Sequence, residues 1–164
     1  MGCRAMFIKA AIGILLVALL AGCKSEGTAP KGNVTMPKRV FNGLELTLQS
    51  DKAIYRLREP IMLELVVTNK GSEPLEFTFR SAQKYDFVVK KDGEEIWRWS
   101  HGRMFAMMLT EFALEPKESV TYKETWNQKD SDGNFVPSGK YNLVGILKTH
   151  PERHFFPLVI EIKD

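Results

Sequence analysis

Only two cysteines occur in 164 residues, and neither is placed to cross-link a fold. Cys3 lies in a basic N-terminal segment and Cys23 closes an apolar one. Removal of that leader and modification of Cys23 would leave no thiol for a disulfide, a redox couple or a thiolate metal site. Histidine is nearly as scarce, at three residues. The chain has no Gly-x-Ser-x-Gly elbow, no phosphate-cradling glycine loop and no His-Glu-x-x-His zinc motif. These absences point away from an enzyme. An excess of one charge is missing too: the net charge of +3 falls to +1 once Arg4 and Lys9 leave with the leader, and no basic stripe suggests nucleic acid. Stability must then rest on the core alone. About 125 residues remain after the leader and its linker, the size of one domain able to bury such a core.

What is present begins with Leu20-Ala21-Gly22-Cys23, which reads as a bacterial lipobox. Arg4 and Lys9 form a positive n-region, and Ala10 to Ala21 is an unbroken run of apolar and small residues. That run is shorter than the roughly 20 residues needed to span a bilayer, so it reads as a signal peptide. Leu20, Ala21 and Gly22 present the recognition site, and small Ala21 and Gly22 let a peptidase close on the bond before Cys23. The Cys23 thiol then accepts diacylglycerol, whose two chains, at about 0.8 kcal/mol per buried CH₂, hold the protein to a membrane. Met1-Gly2-Cys3 fails as a myristoylation signal because Met6 stands where Ser or Thr is wanted. The segment from Lys24 to about Lys38 is rich in Lys, Ser, Gly, Thr and Pro and cannot offset its own ordering entropy by burial. The expected layout is a signal peptide over 1–22, a lipidated cysteine and flexible tether over 23–39, and a domain over 40–164. It places the domain in the cell envelope, on the extracytoplasmic side of a bacterial membrane.

From Leu44 onward apolar residues recur with period two. Leu44, Leu46 and Leu48 begin the series; Ile61 to Val67, Leu75 to Phe79, Tyr85 to Val89, Val120 to Tyr122, Tyr141 to Leu143 and Leu158 to Ile162 continue it. Side chains alternate between strand faces, so each run has a buried and a wetter side. Turn signals separate the runs: Asn69-Lys70-Gly71, Asp92-Gly93, Glu115-Pro116, Asp132-Gly133-Asn134 and Pro137-Ser138-Gly139. The pattern predicts an all-β fold, an immunoglobulin-like antiparallel β-sandwich of about eight strands. His101 to Leu109 alone has a helical look and reads as a turn or loop. One hairpin register is predicted in detail. A three-residue loop with Gly93 left-handed sets Lys90 against Glu94, Phe87 against Trp97, Tyr85 against Trp99 and Asp86 against Arg98.

Tyr85-Asp86-Phe87-Val88-Val89, Ile96-Trp97-Arg98-Trp99-Ser100 and Gly102-Arg103-Met104-Phe105 together resemble the BsuPI-type proteinase inhibitor family. Leu65-Val66-Val67-Thr68-Asn69, Glu124-Thr125-Trp126 and Gly139-Lys140-Tyr141 are similar to it as well, so the resemblance spans roughly Leu44 to Leu147. It implies an immunoglobulin-like sandwich that inhibits a subtilisin-type serine protease. An export signal departs from a family named for an intracellular target. The expectation is therefore a membrane-anchored protein-binding module, monomeric, with a protein partner for which a serine protease is the candidate. The alternative is a structural or assembly module of the envelope with no protease target.

An inhibitor of the substrate-like kind needs an exposed, extended, rigid loop. Two segments are candidates: Asn127 to Gly139, with Phe135, Val136 and Pro137 at its tip, which reads more readily as a polar connection between strands, and His101 to Thr110, with Arg103, Met104 and Phe105 as contacts. Met104, Phe105, Met107 and Met108 could equally cap the core. Tyr85, Asp86, Phe87, Trp97, Arg98 and Trp99 read as structural: the tryptophans as core, and Asp86–Arg98 as a cross-strand ion pair worth a few tenths to about 1 kcal/mol. Neither a metal nor a cofactor is expected. His101, Met104, Met107 and Met108 offer soft donors for Cu(I), a third and minor reading. His150 and His154 are separated by Pro151, which opposes a helix that would align them. Asp130, Asp132 and Asn134 mimic a calcium loop, but Phe135 replaces its glycine and Tyr141 its closing glutamate.

Overall fold

The computed structural model describes residues 34, 35, 38–155 and 157–164. Leu20, Ala21, Gly22 and Cys23 lie outside the described residues. Thirteen strands form among the described residues: β1 (Val34–Thr35), β2 (Arg39–Phe41), β3 (Leu44–Ser50), β4 (Ile54–Arg56), β5 (Ile61–Asn69), β6 (Leu75–Phe79), β7 (Tyr85–Lys91), β8 (Glu94–Arg98), β9 (Thr110–Leu114), β10 (Ser119–Trp126), β11 (Gly139–Leu147), β12 (Arg153–His154) and β13 (Leu158–Lys163). One sheet runs β1-β3-β5-β10, with β2 also on β3. The other runs β4-β13-β11-β7-β8, with β12 also on β11, and β6 pairs with β9 separately. The fold is an all-β sandwich. Every pairing is antiparallel except that of β4 with β13, which is parallel.

The seven period-two runs are all strands, and the two sheets share one core. Ile61, Leu63, Leu65 and Val67 of β5 are buried while Met62 between them is exposed. Tyr141, Leu143 and Leu147 of β11 belong to the same cluster, as do Phe87, Val89, Trp126 and Ile160. Tyr141 Oη donates to Pro137 O four residues upstream, a corner of the kind that recurs in immunoglobulin-like sandwiches. The strands that periodicity missed are mostly two or three residues long, too short to show a period. One of them corrects the tether: Val34–Thr35 falls inside 23–39 yet pairs with Ser50 and Gln49. Main-chain hydrogen bonds at a sheet edge need no apolar pattern.

Mid-strand Gly145 permits a close approach between the sheets. A Cβ there would lie 2.1 Å from Leu65 Cδ2 and 3.3 Å from Phe155 Cγ, both on buried side chains. Gly145→Ala is expected to destabilise the domain by about 1–3 kcal/mol through overpacking. An unchanged urea midpoint would show that Leu65 has room to move aside.

The pairings also sort the loops by end. Val34 pairs with Ser50, and Ser50 with Leu63, so the described chain begins at the end of β3. Trp126 pairs with neighbouring Ile61 and packs edge-on against Tyr141, which puts the start of β11 at that same end. β11 then runs away from it, and its last residue, Leu147, pairs with Tyr85, the first of β7. The β7–β8 turn returns to the starting end, and Ser100 leaves β8 at the far one. The 127–139 loop therefore lies near the chain's beginning, and the 101–109 loop lies opposite.

Candidate functional site

The β7–β8 hairpin builds the platform. Asp92 (φ 51°) and Gly93 (φ 90°) form a two-residue turn between the Lys91–Glu94 pair. Two left-handed residues match the twist of the strands, and this turn replaces the expected three-residue loop. Val89 pairs with Trp97 while Lys90 pairs with Glu95, so Ile96 is an extra residue, a bulge. The predicted partners are corrected: Val88 faces Arg98, Val89 faces Trp97, and Trp99 N–H donates to Phe87 O. The turn and the bulge each shift pairing by one residue, so Phe87 still shares a face with both tryptophans.

Asp86 is buried and accepts four hydrogen bonds. Phe87 N–H (3.0 Å) and Ser100 N–H (3.1 Å) donate to Oδ1; Ser100 Oγ (2.7 Å) and Arg98 Nη1 (2.8 Å) donate to Oδ2. Arg98 also forks onto Glu95, at 2.8 and 2.6 Å. The Glu95 carboxylate, and then Asp86, hold the guanidinium above its ordinary pKa. Asp86 thus does more than the expected ion pair: it fixes where the chain leaves β8.

An aromatic stack continues from that point. Tyr85 lies 4.7 Å from Trp99 and 4.5 Å from Tyr122, both stacked, and its hydroxyl donates to Glu124 Oε1 at 2.6 Å. Burial pushes the Tyr85 hydroxyl well above the usual phenol range, and the Glu124 bond adds to it. Trp97 and Trp99 are half-buried and packed against the core.

On this platform sits the 101–109 loop. His101 N–H donates to Arg98 O and Arg103 N–H to Ser100 O, with Gly102 left-handed at φ 70° between them. Arg103 folds back: its Nε donates to Trp99 O at 2.9 Å and its guanidinium lies 4.4 Å from the Trp99 ring. Phe105 also packs on Trp99, with ring centroids 5.8 Å apart. Ala82 N–H donates to Ala106 O at 2.9 Å, and β9 takes over at Thr110. Between these ties the apolar side chains face water: Met104 is 98% exposed, Met107 85%, Leu109 70% and Met108 50%. They do not cap the core.

So Arg103 and Phe105 position the loop, whereas Met104 is presented by it. Met107, Met108 and Leu109 join Met104, although the sequence had not marked them as contacts. The available signal was an apolar run with no period, Met104 to Leu109, following a glycine turn. The 127–139 loop differs. Val136 is only 7% exposed and belongs to the core, which corrects its place at an open tip. Phe135 is exposed but lies 5.1 Å from the Arg58 and 4.9 Å from the Lys129 cationic group, and Pro137 O is taken by Tyr141. Buried Gln128 ties this loop to the 56–59 turn, accepting from Arg58 N–H and donating to Arg56 O and Glu59 O.

Asp130 Oδ1 accepts from the N–H groups of Asp132 and Asn134, so the calcium-like triplet is a self-contained turn. Among the described residues no three His, Cys, Asp or Glu side chains gather as for a metal ion. The Asn134 N–H bond lowers the Asp130 pKa, and the Lys52 hydrogen bond lowers that of Glu59. Depressed carboxylates stabilise the fold above their ordinary range of about 4 and lose that contribution as pH falls through their lowered values. The urea midpoint is expected to stay level from about pH 8 to 5 and to fall below about 4. A midpoint that rose on acidification would contradict this.

Comparison with known proteins gives one family. BsuPI, described as intracellular proteinase inhibitor, matches residues 48–152, which contain the platform and the loop. No curated protein matches the chain. Solved structures are similar only distantly. A β-glucosidase from Erythrobacter marinus is 11% identical with a TM-score of 0.41 over 80% of this chain, which spans 15% of that enzyme. A sporulation control protein from Bacillus subtilis is 14% identical (TM-score 0.46; 76% of this chain, 51% of that one). The C-terminal domain of wzt is 11% identical (TM-score 0.46; 78% of each chain). None of these likenesses bears on what the chain does.

Proposed function

The chain belongs to the BsuPI intracellular proteinase inhibitor family, and from that premise we propose that it is a lipid-anchored, extracytoplasmic inhibitor of a subtilisin-type serine protease. The observation that carries this reading is the 101–109 loop, where four apolar side chains stand in water on a segment tied at both ends. A segment already held in shape loses little entropy on binding, so burial of its side chains goes into affinity. Met104, Met107, Met108 and Leu109 suit an extended apolar substrate cleft, and methionine adapts to irregular walls. Arg103, Trp99 and Phe105 act beneath them as positioning residues.

Anchoring supports this choice of loop. A lipid on Cys23 holds the N-terminal side at the membrane, and the 101–109 loop lies at the opposite end of the sandwich. It would point outward, and its protease would be an exported one. Globomycin is expected to make an unprocessed precursor accumulate in cells. Normal processing in its presence would remove the anchor from the account. Inhibition is tested with full progress curves against a subtilisin-type protease, together with the integrity of the inhibitor. Saturable inhibition by intact protein is expected; no inhibition at micromolar concentration, or digestion as a substrate, would overturn the assignment.

A further inference from the structure

The same loop carries a chemistry that protein binding does not require. Four methionines fall among the described residues: Met62, Met104, Met107 and Met108. Three of them lie within five positions of one loop, and the two most exposed, Met104 at 98% and Met107 at 85%, leave their thioethers open to dissolved oxidants. Met62, on the outer face of β5, is 52% exposed and Met108 50%. Thioether oxidation follows exposure, because the sulfur lone pair must reach the oxidant.

We propose that Met104 and Met107 form an oxidant-sensitive site, and that their conversion to sulfoxides releases the loop from its protease. In each step the sulfur lone pair attacks one oxygen of a peroxide. The S–O bond forms as the O–O bond breaks, sulfur loses two electrons, and the departing hydroxide becomes water by taking one proton while the new S–OH group gives one up, so no net proton is consumed. An apolar, flexible side chain becomes a polar, chiral one. Burying such a group in an apolar cleft sacrifices the transfer energy that made the contact, about tenfold or more in affinity for each methionine. The fold itself is spared, since neither side chain belongs to the core. A methionine sulfoxide reductase would restore the thioether.

The functional half of this proposal rests on the inhibitor reading; the chemical half does not. The full chain is treated with graded hydrogen peroxide, and each methionine is followed by peptide mapping alongside inhibition of a subtilisin-type protease. Met104 and Met107 are expected to gain oxygen about threefold faster than Met62. Inhibition should fall about tenfold or more in step with them, with an unchanged urea midpoint. A Met104→Leu, Met107→Leu, Met108→Leu variant, whatever its own starting inhibition constant, should show that same constant before and after peroxide. Equal oxidation of Met62 and the loop would overturn the site. Undiminished inhibition by the oxidised protein, or equal loss in the leucine variant, would overturn the switch. If the untreated chain does not inhibit, the functional half falls with the inhibitor reading, while selective oxidation in the same map would still assign the site.

Discussion

Replacing Asp86 by alanine is expected to cost about 3 kcal/mol, a fall in Tm of roughly 10 °C for a domain of this size. The carboxylate is buried and receives four donors, from Phe87, Arg98 and both the backbone and hydroxyl of Ser100. Alanine leaves all of them facing a small void that they can satisfy only if water enters. Hydrogen bonds to a charged group contribute about 1.5–3 kcal/mol each, but the sum is not reached. Arg98 keeps its fork on Glu95, and it is partly open to solvent. Glu95→Gln provides the contrast. That carboxylate is exposed, and its loss should cost under about 1 kcal/mol. Chemical denaturation of both variants decides the matter. Equal small effects would mean that Asp86 does not organise the hairpin.

The second large effect is expected on binding alone. Serine at Met104, Met107, Met108 and Leu109 together should weaken protease inhibition by about 100-fold or more, because buried apolar anchors dominate interface energy. Stability should stay within about 1 kcal/mol of the parent, as exposed side chains contribute little to folding. Arg103, Phe105 and Trp99 remain to hold the backbone. Inhibition constants and urea midpoints measured on one preparation separate the two effects. Retained inhibition would move the contact to another surface; a large loss of stability would return these side chains to a structural role.

Much of the sandwich was legible in the sequence. Ile61, Leu63, Leu65 and Val67, and equally Leu158, Ile160 and Ile162, announce themselves by alternation, because one face of each strand meets the core. β9 was obscured because the apolar run Met104 to Leu109 leads into it and hides the alternation of Phe112 and Leu114. The hairpin register was missed by two residues. Its turn residues were identified, but the bulge at Ile96 depends on how the whole strand meets its neighbour, which no local preference records. Val136 read as a loop tip from its position before Pro137, yet Gln128 and Tyr141 draw that segment onto the core.

The candidate loop was legible by position and not by role. Composition treats Met-Phe-Ala-Met-Met-Leu as core material, since five of its six side chains could fill a cavity as well as a cleft. Only the assembled sheets show that β5, β7 and β11 have already filled the interior, leaving these side chains outside. The signature residues, by contrast, make their contacts within the fold. Asp86, Arg98 and Ser100 tie the loop's first turn to the hairpin, and Tyr85, Trp99 and Phe105 support it from below.

The most direct measurement is a titration of a subtilisin-type serine protease with the intact protein, following substrate turnover and the inhibitor's mass in parallel. Stoichiometric, saturable inhibition by a chain that stays whole, lost when the 101–109 loop is replaced, is the predicted result. Full protease activity in the presence of micromolar protein, or steady cleavage of the loop without inhibition, would contradict it.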